Sequence, residues 1–498
     1  MHTKSIDAPI KTIASQAPFS KLSQLRGIYL VLSAIIIGIG IGVLVKYFGL
    51  WALLSIPILF VLVGAFLLPE VGLPVFVFVI YINLSANMIT FYGLPSIAKS
   101  FVALLSLVLF VRVFFLGQEV RGLKTPLFLL GMYTMVGATT LIYMVDFNAG
   151  YVSLVEYLKI AYYSILVVAF IQKPSTFYSV IWALLFAGIL MGTISLFQYF
   201  TGTTENIYWG FGQSYTSDTG TGYRVGGPVG DPNYYAMIMV ILVPIAFDRL
   251  WNSKSNVLRF FSGWALVVCV LAVLYTYSRG GFLAMAFGVI IMAVYYKLRL
   301  TPAMLGIVFF LIIYQFLPAN YTDRLSTLLY FLPQDAKQQL VDRSIQGRTS
   351  ENLAAWEMFK DHPLTGVGMS NYENLYYTYA RPLGLDVSVG SRQPHNLYLQ
   401  ILAERGLLGL SAFAIVMYVT FRNLYFSRRA FLNKNLSDLA GMTSSIGMAL
   451  VIYLFASLFL HDSFIRYFWI LIGVAWSIPQ LAHDENEINE ETTPSFSS

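Results

Sequence analysis

Three short segments of this 498-residue chain concentrate side chains that can hold an anion or move a proton. The first reads Arg224-Val-Gly-Gly-Pro-Val-Gly-Asp231-Pro-Asn233-Tyr-Tyr. The second is Tyr277-Ser278-Arg279-Gly280-Gly281, and the third is Ser391-Arg392-Gln393-Pro394-His395-Asn396-Leu397-Tyr398. A guanidinium stays charged at any working pH, and its planar fork matches phosphate oxygens. Arg279 and Arg224 are therefore candidate phosphate ligands. Gly280 and Gly281 would let backbone approach a ligand, and N–H groups at the following helix start favour an anion. His395, after a proline and at a helix start, is a candidate general base. The positive helix end and nearby arginines would keep its imidazole neutral. Each residue also has a plainer role open to it. Arg279 can snorkel at an interface, Arg224 can pair with Asp231 or Asp218, Asp231 can cap the helix that begins at Pro232, and His395 can be a polar residue of a first turn.

These segments need elements to carry them, and the composition says which. Hydrophobic residues make up 57% of the chain and charged ones 11%, against about 25% charged in soluble proteins. Mean hydropathy is +0.68. That excess of apolar surface faces lipid, so the expected fold class is an all-α polytopic membrane protein of about 12–14 spans. Apolar runs long enough to cross begin near Gly27, Leu50, Leu73, Phe101, Pro126, Val155, Phe177, Tyr234, Phe260, Gly281, Thr301, Leu407, Gly441 and Phe464. No cleavable signal peptide is expected ahead of them. Basic residues set the orientation. With Lys4, Lys11, Lys21 and Arg26 in the cytoplasm, alternation puts Arg121/Lys124, Lys173, Arg249/Lys254/Arg259, Lys297/Arg299 and Arg422/Arg428/Arg429/Lys434 there too. Both termini are then cytoplasmic, and the three chemical segments gather on the opposite side.

The expected organisation is a cytoplasmic tail over 1–26, a transmembrane bundle over 27–200, and a region over 201–425 that carries the chemistry. Closing helices over 426–481 and an acidic, disordered tail over 482–498 complete the chain. The middle region contains two outer loops, at about 201–233 and 318–395. The second holds a helix signal, with Ser350 as N-cap, Leu353, Trp356 and Phe359 on one face, and a stop at Asp361-His362-Pro363. Glu404 and Arg405 do not suit lipid, so 396–406 reads as a protein-covered half-helix with the span proper after Gly406. Tyr208, Trp209, Tyr215, Tyr223, Tyr372, Tyr376, Tyr377 and Tyr379 crowd the outer loops, where they can stack on sugars or form an interfacial belt.

The single cysteine, Cys269, leaves no intrachain disulfide or thiolate cluster. His2, His362, His395, His461 and His483 lack paired ligand spacing, so no metal site is expected, and there is no phosphate-binding Walker loop. No cofactor, nucleotide or nucleic acid is expected as a partner. The net charge of +6 reflects the cytoplasmic bias of basic residues.

The second half of the chain resembles the bacterial O-antigen ligase and polymerase superfamily of lipid-linked glycan transferases. The resemblance rests on Arg224 through Asn233, on Ser278-Arg279-Gly280-Gly281, on Gly347-Arg348 through Trp356, on His362-Pro-Leu-Thr-Gly-Val-Gly368, and on Pro394-His395-Asn396 through Gly406. It implies a metal-independent membrane glycosyltransferase of the bacterial inner membrane. Its donor would be an undecaprenyl-diphosphate-linked glycan. Its acceptor hydroxyl would sit on lipid A core, on another glycan repeat or on a protein, at the periplasmic face. It also implies Arg279 and Arg224 on the diphosphate and His395 as base. Arg348, Arg392, Asn396 and Tyr398 are secondary candidates for glycan or phosphate contacts. The competing class is a lipid-linked glycan flippase or transporter. Such proteins place ionisable residues at mid-span, where this sequence shows few, with Glu156 and Lys159 assigned to an outer helix end.

Overall fold

The computed structural model describes residues 69–216, 223–297, 343–385, 392–461 and 465–483, besides the single positions 38 and 46. They lie almost wholly in the unit Ala65–Ser498, and everything below concerns that unit. The spans expected from Gly27, Leu50 and Thr301 fall outside the described residues, as do the N-terminal tail, nearly all of the acidic tail, Ser391 and the stretch 318–342.

The described elements are almost all helices. They are α1 (Pro69–Tyr81), α2 (Leu84–Tyr92), α3 (Ile97–Phe110), α4 (Lys124–Thr139), α5 (Phe147–Phe170), α6 (Pro174–Thr201), α7 (Pro232–Val240), α8 (Val243–Asn252), α9 (Asn256–Tyr275), α10 (Arg279–Tyr295), α11 (Arg343–Asp361), α12 (Tyr372–Ala380), α13 (Leu397–Asn433), α14 (Ser437–Ala456) and α15 (Ile465–His483). Eight helical stretches among the described residues are long and apolar enough to cross a membrane. A ninth arises if α1 and α2, bent by 54° at their junction, form one span. The chain is thus an all-α polytopic membrane protein. One element departs from that pattern: β1 (Gln213–Thr216) and β2 (Tyr223–Gly227) pair antiparallel, with Tyr215 opposite Arg224.

Burial ranks the spans. The stretch made by α7 and α8 is 83% buried over its most apolar part, against 22% for the stretch at α3. The former is therefore the centre of the bundle and the latter its lipid-facing rim. Helix α7 starts where Asp231 accepts hydrogen bonds from the backbone of Asn233 and Tyr234, with Pro232 at the first helical position, a sequence-encoded start. Asp231 thus takes the capping role.

Several expectations change. Helix α5 begins at Phe147, capped by Asp146, not near Val155. Glu156 and Lys159 therefore lie well inside the span, neutralising each other at 2.5 Å on an exposed face. Arg249 is not a loop cation. It is 3% exposed, bonded to its neighbour Asp248 and bidentate to Asp438 at the start of α14. A buried guanidinium needs such paired carboxylates. Ser350 is no N-cap, because α11 starts at least seven residues earlier. Its buried face is Ser350, Glu351, Ala354, Ala355 and Met358, while Leu353 and Trp356 are each 43% exposed. The stop at Asp361 stands as expected.

Candidate active site

Arg224 sits on β2, and the hairpin delivers it to the turn between α9 and α10. Its Nε donates to the Thr276 carbonyl at 2.9 Å, and one terminal nitrogen donates to the Asn233 side-chain oxygen at 3.1 Å. That same oxygen accepts from the Ser278 hydroxyl at 2.9 Å. Asn233 therefore ties the Arg224 strand to the residue just before Arg279. Ser278 caps α10 by accepting from the Gly281 N–H at 3.2 Å, and Arg279 is the first residue of that helix. Both arginines are buried, at 6% and 8% exposure. Asp218, one of the two carboxylates proposed as a partner for Arg224, lies outside the described residues, and Asp231 is engaged as the cap of α7.

The glycines beside Arg279 serve packing. A Cβ on Gly280 would lie 2.8 Å from the Cβ of Phe459, and one on Gly281 would lie 2.5 Å from the Cβ of Ala236. The close approach expected of them is thus to protein, not to ligand, and the Gly281 N–H is already engaged by Ser278. Through Phe459 the Arg279 turn touches the segment that follows α14.

That segment also carries the third group. The Leu397 N–H donates to the Ser457 carbonyl at 2.9 Å, and the Tyr398 hydroxyl donates to the Leu454 carbonyl at 2.6 Å. Asn396 caps α13 by accepting from the N–H groups of Tyr398 and Leu399. Asn396 thus caps α13, while Leu397 and Tyr398 anchor that helix to the end of α14. Helix α13 breaks at Gly406, where φ is 58° and ψ −158°, a backbone region that only glycine adopts without strain. A Cβ there would strike the Leu364 backbone. The Pro363–Gly368 turn runs along the break, with N–H groups of Leu407 and Val367 each donating across at 2.8 Å. Glu404 and Arg405 are 2% and 4% exposed, so this half-helix is covered by protein as its charges require.

His395 immediately precedes the Asn396 cap. Its Nδ1 lies 2.8 Å from one carboxylate oxygen of Glu351 on α11 and 3.2 Å from the Gln393 carbonyl. Arg392 donates to the other Glu351 oxygen at 2.9 Å. The carboxylate is 5% exposed, whereas the His395 side chain is 29% exposed. Two acceptors at Nδ1 fix the tautomer with the proton there and leave Nε2 as the basic nitrogen. The Glu351 carboxylate thus joins the helix end and Arg392 among the charges at this imidazole. His395 also meets His461 edge to face, with ring centroids 5.6 Å apart. Burial, followed by the charge on His395, pushes the His461 imidazole down to about 3, so it stays neutral.

The sequence reading did not single out Glu351, Asn233 or His461 for the site. Arg348 lies half-buried on α11, and the neighbouring Gly347 packs against Arg392. Of the tyrosines, Tyr372 and Tyr376 are buried at 0% and 1%, with the Tyr372 hydroxyl on the Glu351 carbonyl. They are scaffold for the loop, whereas Trp209, Tyr215 and Tyr377 remain exposed. A cavity of about 590 Å³ opens elsewhere, among Tyr178, Trp182, Arg249, Lys254 and Asp438. It lies at the other end of the helices that lead to this cluster, where α9 and α14 begin and α13 ends.

Residues 264–414 match the O-antigen ligase family model. The matched stretch carries Arg279, α11 with Arg348 and Glu351, Arg392, His395 and the Gly406 break. It supports the O-antigen ligase/polymerase superfamily that the motifs resemble. No curated protein matches the chain.

Proposed function

We propose that this protein is a glycosyltransferase of the bacterial inner membrane. It moves a glycan from undecaprenyl diphosphate to an acceptor hydroxyl on lipid A core or on another glycan repeat, at the periplasmic face. The observation that carries the reading is a carboxylate-held imidazole, Glu351–His395, joined through the 457–461 segment to a buried pair of arginines. The family match spans Arg279, Glu351 and His395 of this assembly. Orientation is supported by charge: Lys254, Arg259, Lys297, Arg428, Arg429 and Lys434 collect at the helix ends remote from the cluster. Both termini are then cytoplasmic.

In the reaction, Nε2 of His395 takes the proton of the acceptor hydroxyl. The acceptor oxygen forms a bond to the anomeric carbon as the bond from that carbon to the diphosphate oxygen breaks. Lipid diphosphate leaves with the bonding pair. Glu351 accepts the hydrogen bond from Nδ1–H, stays ionised, and stabilises the imidazolium that forms, a base-and-orienter arrangement found in many transferases and hydrolases. Arg279, with Arg224, faces the charge that grows on the diphosphate, where fixed guanidinium groups away from bulk water act strongly. Attack opposite the leaving group inverts the anomeric centre. Purified protein in liposomes, given undecaprenyl-diphosphate-linked repeats and acceptor, should form the new glycosidic bond with inversion, read by product NMR. Transport of labelled donor across the bilayer without transfer would favour the flippase instead.

A further inference from the structure

Besides Glu351, His395 packs against a residue outside the matched stretch, His461. His461 follows α14 and packs edge-on against the His395 ring at 80°. Tyr234 of α7 also meets the His461 ring in a T-shaped contact at 5.3 Å, and the Tyr234 hydroxyl donates to the His461 carbonyl at 3.1 Å. Tyr234 follows directly on Asn233, which bridges Arg224 and Ser278. His461 is thus the stacking link between the half of the site with the base and the half with the arginines.

We infer that His461 is a positioning residue for the base: an uncharged ring that shields one face of His395 from water and holds it in register with the arginine turn. The inference rests on the reading of His395 as base. Among the described residues, the charged and titratable groups around this pair include Glu351 from α11, Arg392 beside His395, and Asp231 before α7. Glu351 favours the imidazolium. The half-buried ring of His461, packed against His395, takes up space that water would otherwise fill. The aromatic body of His461 supplies this packing, and His461→Phe keeps that body.

The test uses the full-length protein in nanodiscs, and its first readout needs no substrate. Carbethoxylation of His395 by diethyl pyrocarbonate, followed by mass spectrometry across pH, reports the protonation midpoint of that imidazole. His461→Ala should raise the midpoint by roughly half a pH unit or more, because water reaches the uncovered face. His461→Phe should keep the wild-type midpoint, and in the transfer assay it should recover most of the rate that alanine loses. Should the alanine variant fail to fold, His461→Val removes the same edge contact and is read in its place. Unchanged midpoints in all variants would overturn the inference. So would a phenylalanine variant that behaves like alanine, since the nitrogens would then matter and not the ring. His395→Ala, run beside them for transfer, separates failure of this inference from failure of the base assignment.

Discussion

Replacing Glu351 with glutamine tests the base directly. The substitution keeps the side-chain shape and one oxygen near Nδ1 of His395, but removes the charge that faces the imidazolium. The carboxylate makes two contacts with groups that are or become cationic, at 2.8 Å to His395 and 2.9 Å to Arg392. Only the first changes during the reaction, when the ring gains its proton. A hydrogen bond to a charged group contributes about 1.5–3 kcal/mol, so the rate should fall roughly 10- to 150-fold. Because Glu351 is 5% exposed and sits on α11, away from the arginine turn, KM for the lipid-linked donor should move little. Steady-state transfer by purified variant, with donor and acceptor varied separately, reads the two parameters. A kcat equal to wild type would refute the reasoning, as would a loss lying wholly in donor KM.

Two further outcomes follow from the same geometry. Asn233→Ala removes the oxygen shared by Arg224 and Ser278, and each lost hydrogen bond costs about 1 kcal/mol. Donor KM should rise about tenfold or more while the protein still accumulates in the membrane, checked by donor titration and immunoblot; an unaltered donor KM would contradict the bridge. The second outcome concerns pH. His461 has a folded value of about 3 against 6.5 when unfolded. A depressed value gives stability that is fully present above 6.5 and is lost as pH falls towards 3. By about pH 5 the loss is about 2 kcal/mol. Thermal unfolding at about pH 7.5 and pH 5 should show wild type losing more than His461→Phe, by that order; identical losses would show that His461 is protonated in the fold.

Much of the scaffold is legible in the sequence because lipid imposes a simple rule, namely long apolar runs closed by polar turns. Asp231-Pro232 and Glu404-Arg405-Gly406 announce a helix start and a helix break by local chemistry alone. The site is less legible because its contacts are long-range. Glu351 and His395 lie 44 positions apart, and nothing at Glu351 locally marks it as a partner for an imidazole. Ser350 imitates a cap, yet the helix continues upstream through Gly347 and Arg348. Leu353, Trp356 and Phe359 imitate a core face, but small residues, Ala354 and Ala355, let α11 pack closely along its other side. Gly280-Gly281 imitates a ligand cradle, while the space beside it belongs to Phe459 and Ala236. In the glycine-rich loop, alternation of Tyr223 and Val225 around Arg224 is the one cue to a strand.

The central claim is tested most directly in the host cell. The gene is deleted, then complemented with wild type, Arg279→Ala or His395→Ala at matched protein level, and cell-surface polysaccharide and lipid-linked glycan are profiled by gel and mass spectrometry. The account predicts that deletion and both variants lose transferred long-chain polysaccharide and accumulate lipid-linked donor, while wild type restores the profile. Full restoration by His395→Ala would contradict it.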